Sequence, residues 1–200
     1  MQQEIYLVGL NHRTAPVEVR ESFAGEHLLA LLKDKLLPLS GSEMREALVL
    51  STCNRVEILT VGDGEGLPEK VLGYWSSACN KSIEDLRPYI YSYTGVEAVK
   101  HLFNVASSLD SMVLGEPQIL GQLKEAYRKA LELGNTGVLL NRLLHRSFSV
   151  AKRVRSETGV GSAAVSISYA AVELAKRIFG DMSEHKAMLI GAGEMAELAA

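Results

Sequence analysis

The sequence has few of the features that mark secreted, membrane-spanning or strongly basic proteins. Its only two cysteines, Cys53 and Cys79, are too few for a disulfide framework, which indicates a reducing compartment. No apolar run reaches the roughly 20 residues that a membrane helix needs, and the N-terminus carries no signal peptide. The net charge of −3 argues against a strongly basic nucleic-acid binder, although not against a local basic patch. We expect a cytoplasmic protein of one or two domains with no membrane partner.

The first 94 residues alternate between strand and helix patterns. Strands are predicted at residues 5–10, 47–50, 56–61 and 89–94, with helices at residues 26–37 and 69–79. The order β-α-β-β-α-β predicts an α+β fold of the ferredoxin-like type.

From residue 95 onward the apolar spacing is helical, and helices are predicted at residues 138–155 and 166–179 among others. We place a boundary near Gly95. Residues 1–94 are then the ferredoxin-like part of a catalytic domain, and residues 95–160 are its helical part. Residues 161–200 are a connecting helix and the start of a further domain.

That further domain is predicted from a strand at residues 186–190 followed by a glycine-rich turn. The turn reads G-x-G-x-x-A and consists of Gly191, Ala192, Gly193, Glu194, Met195 and Ala196. A strand, this turn and a helix open the dinucleotide-binding unit of Rossmann-type domains. Because the sequence stops at Ala200, we expect a fragment whose cofactor domain is incomplete.

Cys53 lies in a polar turn, Ser-Thr-Cys-Asn-Arg, between two predicted strands. The neighbouring Arg55 is always charged, and a nearby cation favours the thiolate, which is the nucleophilic form of cysteine. This pattern is typical of an enzyme that transfers an acyl group through a cysteine. A buried, unreactive cysteine is the alternative.

Two further segments carry candidate site residues. On its predicted helix, His101 points away from the apolar stripe, which leaves either a proton-transferring site residue or an ordinary solvated histidine. The predicted stripe consists of Val96, Val99, Leu102, Phe103, Ala106 and Leu109. In the segment from Ser111 onward, Glu116 and Pro117 suit a helix start, while Gln118 and Gln122 share one polar face. These groups suit the binding of a small substrate that bears an amino group. The alternative is that Glu116 and Pro117 only cap the helix and that the two glutamines lie on a solvated helix face. The basic helix at residues 138–155 either contacts RNA or is a solvated face.

Four segments in this order resemble the glutamyl-tRNA reductase family. They are residues 9–16 (GLNHRTAP), 51–55 (STCNR), 111–122 (SMVLGEPQILGQ) and 191–196 (GAGEMA). The second and third are specific in combination. The resemblance implies the first enzyme of five-carbon tetrapyrrole biosynthesis, which reduces glutamyl-tRNA to glutamate-1-semialdehyde with NADPH. Family members are homodimers with a complete nucleotide domain, so we expect this fragment to be a monomer limited to thioester formation and ester hydrolysis.

The resemblance also implies individual roles. Cys53 matches the nucleophile that forms a thioester, and His101 matches a histidine important for activity. Around the glutamyl group it implies Thr52, Asn54, Arg55, Ser111, Glu116, Pro117, Gln118 and Gln122. The turn from Gly191 to Ala196 matches the start of the NADPH loop, and no residue matches a metal ligand.

Two interpretations from other classes stay open on the residues alone. One is a non-catalytic ferredoxin-like module that binds RNA, and the other is a thiol-dependent aldehyde dehydrogenase. RNA binding that survives loss of Cys53, without any adduct, would indicate the RNA-binding module. Activity that does not depend on tRNA would indicate the aldehyde dehydrogenase.

Overall fold

The structure is a computed structural model that describes residues 3–24, 28, 44–64, 66–160, 167–183 and 185–188. Its strands are β1 (Glu4–Asn11), β2 (Met44–Ser51), β3 (Arg55–Gly62) and β4 (Tyr91–Thr94). The described helices are α1 (Val17–Ser22), α2 (Leu67–Ala78), α3 (Ile83–Leu86), α4 (Val96–Ala106), α5 (Gln118–Glu132), α6 (Val138–Glu157) and α7 (Ile167–Phe179). A short 3₁₀ turn (Arg87–Tyr89) precedes β4.

Three predicted elements fall wholly or partly outside the described residues. The helix at 26–37 lies outside them except for Leu28, and the turn from Gly191 to Ala196 lies outside them entirely. Of the strand predicted at 186–190, only residues 186–188 are described, and they have no regular secondary structure.

The four strands form one sheet in the order β2-β3-β1-β4, and all neighbouring strands are antiparallel. The chain is therefore a mixed α/β structure, as predicted. In the register, Gly9 of β1 lies between Glu57 of β3 and Tyr91 of β4. That row of three residues crosses the sheet close to the turn that carries Cys53.

Both faces of the sheet are buried. One face packs against α2, where Trp75 lies at the centre and donates its indole N–H to the carbonyl of Phe23 at 2.9 Å. The other face packs against α4, α5 and α6 in a second apolar cluster. Because both faces are covered, β3 is buried along its whole length instead of alternating between core and solvent. Helices α4, α5 and α6 thus share a core with the sheet.

Within the described ranges, no helix combines the length and the apolar character required to cross a bilayer. The longest described helix, α6, carries several cationic side chains, and its buried residues occupy one side only.

A buried carboxylate joins α6 to the sheet. The Glu46 side chain on β2 accepts the backbone N–H groups of Gly137 and Leu140 at 2.8 Å and of Leu139 at 3.1 Å. A helix N-terminus leaves N–H groups without helical acceptors, and a negative charge there also interacts favourably with the helix dipole. Glu46 therefore fixes where α6 begins against the sheet.

Replacing Glu46 by Ala should lower the free energy of unfolding by about 2–3 kcal/mol, because three N–H groups at the start of α6, of which that of Leu140 is buried, lose a charged acceptor. Urea denaturation followed by circular dichroism measures this change. The control is Glu69→Ala, which removes an exposed carboxylate paired with Arg87 and should change the value by less than about 1 kcal/mol. Equal losses in the two variants would contradict the capping role.

Candidate active site

The turn between β2 and β3 is closed by Thr52 and presents Cys53 to solvent. The Thr52 hydroxyl oxygen accepts the backbone N–H of Asn54 at 3.2 Å and of Arg55 at 3.1 Å. The backbone N–H of Thr52 donates to the Arg55 carbonyl at 2.8 Å. Cys53 is exposed at the tip of this rigid turn. The thiol is therefore accessible, and the alternative of a buried, unreactive cysteine is wrong.

Cys53 opens onto a cleft between its turn and the start of α5. The cleft is lined by Thr52, Cys53, Asn54, Arg55, Ser111, Met112, Glu116, Gln118, Ile119 and Gln122. Two segments about 60 positions apart in the sequence thus meet at one site. Among the predicted substrate-binding residues, Pro117 alone is not part of the lining, and it is exposed.

The Arg55 side chain is buried and already neutralised. Its Nη1 donates to Oε1 of Glu57 at 2.8 Å, and its Nη2 contacts both the carbonyl oxygen and the carboxylate of Asp110. Asp110 in turn pairs with Arg13 at 2.9 Å. Arg55 is thus not the free cation beside the thiol that the sequence suggested, because two carboxylates hold its guanidinium.

The sequence predicted that His101 points away from the core, but the structure places its side chain in a largely buried position. Its side chain is 11% exposed, and its Nε2 lies 2.7 Å from Oε1 of Glu57. The ring stacks on Tyr93 with centroids 4.9 Å apart and also contacts Tyr91. The buried face of α4 is formed by Ala98, Leu102, Val105 and Ala106. The predicted stripe included Val96, which is exposed, so its centre was turned away from His101.

One oxygen of Glu57 therefore accepts hydrogen bonds from three side chains. Tyr91 donates its hydroxyl at 2.6 Å, alongside Arg55 and His101. Burial alone would raise the pKa of Glu57, but the hydrogen bond from His101 and the charge of Arg55 outweigh burial and hold that pKa at about 2. Burial and the Glu57 carboxylate raise the pKa of Tyr91, which stays a donor. Because ionised Glu57 can only accept, Nε2 of His101 carries a proton and Nδ1 is its uncommitted nitrogen.

The loop before α5 is fastened to the end of α6. Nη2 of Arg155 donates to the carbonyl of Glu116 at 2.7 Å and to the hydroxyl of Ser108 at 3.1 Å. Gly115 has a φ of +82°, and a Cβ there would lie 2.4 Å from the Val160 carbonyl oxygen, so a larger residue does not fit. These contacts set the position of Glu116 in the cleft, where burial raises the pKa of its carboxyl.

The basic helix predicted at residues 138–155 corresponds to α6. Arg153 on α6 pairs with Glu157, and Arg142 and Arg146 are exposed, so RNA contact along this helix stays a prediction. In the described part of the chain, no group of three His, Cys, Asp or Glu side chains is arranged to hold a metal ion.

Comparison with known proteins connects this cleft to one family. The family model "Glutamyl-tRNAGlu reductase, N-terminal domain" matches residues 8–158. The chain belongs to the glutamyl-tRNA reductase family. The resemblance carried by its sequence motifs is therefore confirmed, and the matched range contains Cys53, His101 and every lining residue of the cleft.

Similar proteins carry the same family name. The glutamyl-tRNA reductases of Nitratidesulfovibrio vulgaris (strain Miyazaki F) and Lawsonia intracellularis are 66% and 62% identical to the chain over its full length. The chain spans 45% and 46% of the lengths of these two relatives. The solved glutamyl-tRNA reductase from Methanopyrus kandleri is 32% identical with a TM-score of 0.67, covering 98% of this chain and 45% of that one.

Sequence reasoning missed Glu57, Tyr91 and Asp110. Glu57 had one available signal, since it is a charged residue inside an otherwise apolar strand, which predicts a buried partner. Tyr91 and Asp110 had no such signal, because each joins the network only through contacts that span dozens of residues.

Replacing Gly9 by Ala should disturb the Glu57 network, because a Cβ at this position would lie 2.8 Å from Cγ of Glu57 and 3.0 Å from the Tyr91 ring. We expect the free energy of unfolding to fall by about 1–3 kcal/mol. The control is Gly73→Ala in α2, where a Cβ has nothing within 4 Å and should stabilise by about 0.5–1 kcal/mol. Denaturant titration of both variants tests this, and a stabilising Gly9→Ala would contradict the tight contact.

The network should also produce an acid transition. Because folding lowers the pKa of Glu57 from 4.5 to about 2, its contribution is fully present above pH 4.5 and is lost as pH falls towards 2. This contribution of ionised Glu57 to the free energy of unfolding is on the order of 3 kcal/mol. The stability difference between wild type and Glu57→Gln should therefore shrink across this range, as measured by denaturant titration at a series of pH values. Glu97→Gln, an exposed change on α4, should show no such trend, and a constant difference for Glu57→Gln would contradict the assignment.

Proposed function

We propose that this chain is the catalytic part of a glutamyl-tRNA reductase in which Cys53 accepts the glutamyl group from glutamyl-tRNA as a thioester. The observation that carries the proposal is the exposed Cys53 thiol opening onto a cleft lined by Ser111, Glu116 and Gln118 in a chain of this family. The reaction would form glutamate-1-semialdehyde, the first step of five-carbon tetrapyrrole biosynthesis. The strand order and antiparallel pairing support a ferredoxin-like arrangement for residues 1–94.

The acyl transfer needs a nucleophile, a leaving group and a proton. In this proposal the Cys53 thiol gives up its proton and its sulfur bonds to the ester carbonyl carbon. The bond to the terminal ribose oxygen then breaks, and that oxygen takes up one proton, which balances the one lost by the thiol. His101 is the residue proposed to assist this proton transfer or to close the site against water. Glu57 orients His101 by accepting from Nε2, which leaves Nδ1 as the nitrogen able to act on a proton.

The remaining lining residues are proposed to bind the glutamyl group. Glu116, Gln118 and Gln122 supply a carboxyl and two amides at the start of α5, which suits a substrate amino group. Arg55 borders the cleft, but Glu57 and Asp110 already hold its guanidinium. Because its guanidinium is held in this way, a role for Arg55 in orienting the ester is favoured over pairing with a substrate carboxylate.

Thr52, Asn54 and Pro117 also have local structural roles. Thr52 closes the turn, and the Asn54 carbonyl accepts the backbone N–H of His12 at 2.9 Å. Pro117 occupies the position just before α5, where its fixed φ suits a helix start.

NADPH would supply the hydride that reduces the thioester. The residues proposed to begin its site, Gly191, Ala192, Gly193, Glu194, Met195 and Ala196, lie outside the described residues. The role of this chain's described residues is to form, orient and protect the acyl-cysteine.

Incubation of the chain with glutamyl-tRNA should add one glutamyl group, located on Cys53 by intact mass and peptide mapping. Cys53→Ser should abolish adduct formation and tRNA release, because the alcohol is a far weaker nucleophile than a thiolate. Cys79→Ser is the matched control. Cys79 is half-buried at the end of α2, burial raises the pKa of its thiol, and its loss should leave the rate within about twofold. An adduct retained in Cys53→Ser would overturn the proposal, whereas tRNA binding without any adduct would favour a non-catalytic RNA module.

A further inference from the structure

Two arginine side chains flank the Cys53 turn and have no role in the acyl transfer proposed above. Arg20 of α1 donates its Nε to the carbonyl of Cys53 at 3.1 Å and its Nη1 to the carbonyl of Ala15 at 2.8 Å. Arg13, in the turn after β1, donates Nη1 to Asp110 at 2.9 Å, and its side chain is 59% exposed. The Arg20 guanidinium therefore lies against the backbone of Cys53, and the Arg13 guanidinium is joined to the same turn through Asp110, which also pairs with Arg55.

Three arginine side chains lie around this turn, and the described carboxylates that pair with them are Asp110 and Glu57. Asp110 is shared between Arg13 and Arg55, and Glu57 is taken by Arg55. No described carboxylate pairs with Arg20, and no described group accepts a hydrogen bond from its Nη2. Burial is the largest cause of the lowered pKa of His12, the residue before Arg13, and the charges of Arg13 and Arg55 add to it. The arginines Arg13, Arg20 and Arg55 are thus gathered at one turn, although the chain as a whole has a net charge of −3.

We propose that Arg13 and Arg20 form a phosphate-binding pair for the acylated end of the RNA substrate. The inference rests on the proposed function, because that function brings an ester on a terminal ribose to the Cys53 sulfur. The phosphodiester one ribose away must then lie beside the turn that carries Cys53. A planar guanidinium matches the oxygens of a phosphate, and phosphate contacts fix the position of an RNA without reading its sequence.

The substrate offers a second anion, the side-chain carboxylate of its glutamyl group. Arg20 also holds the Cys53 carbonyl, so its loss could simply misplace the thiol. The three roles differ in which reactions they affect. A phosphate site matters for RNA substrates alone, a carboxylate site also matters for a small glutamyl ester, and a misplaced thiol changes every reaction of Cys53.

The experiment compares Arg13→Gln and Arg20→Gln with wild type in three reactions of the whole chain. The reactants are glutamyl-tRNA, glutamyl p-nitrophenyl ester and iodoacetamide, each followed as modification of Cys53. We expect the ratio of kcat/KM for glutamyl-tRNA to that for the small ester to fall about 10-fold, the value of one charge-assisted hydrogen bond. The slope of log binding constant against log salt for tRNA should decrease by about one per variant.

Arg87→Gln is the matched control, because Arg87 is 55% exposed and pairs with an exposed glutamate on the α2 side of the sheet. It removes the same charge and should leave both the ratio and the salt slope unchanged. Equal losses of kcat/KM on glutamyl-tRNA and on the small ester would overturn the phosphate site. Such losses with a normal rate of iodoacetamide alkylation would indicate a carboxylate site. Such losses with slower alkylation would indicate that the arginine positions the thiol. A wild-type chain that forms no adduct with either ester would instead defeat the proposed function itself.

Discussion

The site depends on a single carboxylate oxygen buried between the sheet and α4. Oε1 of Glu57 accepts from Arg55, Tyr91 and His101, so one atom joins β3, β4 and α4. A buried carboxylate without partners would be unstable as an ion, and removal of one member of a buried pair typically costs about 3–5 kcal/mol. The three donors and the anion therefore require one another, which holds His101 and Arg55 in one arrangement.

The same principle operates at the opposite end of the sheet. Glu46 on β2 accepts three N–H groups at the start of α6, while Glu57 gathers three side-chain donors near the Cys53 turn. Both carboxylates lie in strands that are mostly apolar. They attach the helices to the sheet by directional bonds, where apolar packing alone would permit sliding.

Local patterns predicted the elements well and their orientations less well. The four strands, the turn at Cys53 and the helix beginning at Gln118 were all predicted from runs of apolar residues and breaking residues. The orientation of His101 was wrong because Val96 belongs to the apolar pattern but not to the core. The partners of Arg55 could not be predicted, because Asp110 is 55 positions away and only tertiary folding brings it near. The cleft itself was implied by family resemblance, whereas residue chemistry alone indicated an acyl-transfer cysteine.

The fastening of the Ser108–Glu116 loop to Arg155 links two distant parts of the chain mechanically. Arg155 belongs to the last turn of α6, and Gly115 lies against the backbone of Val160 immediately after that helix. The last turn of α6 therefore bonds directly to the backbone of Glu116, a lining residue of the cleft beside Cys53, so a displacement of that turn would be transmitted to the edge of the cleft.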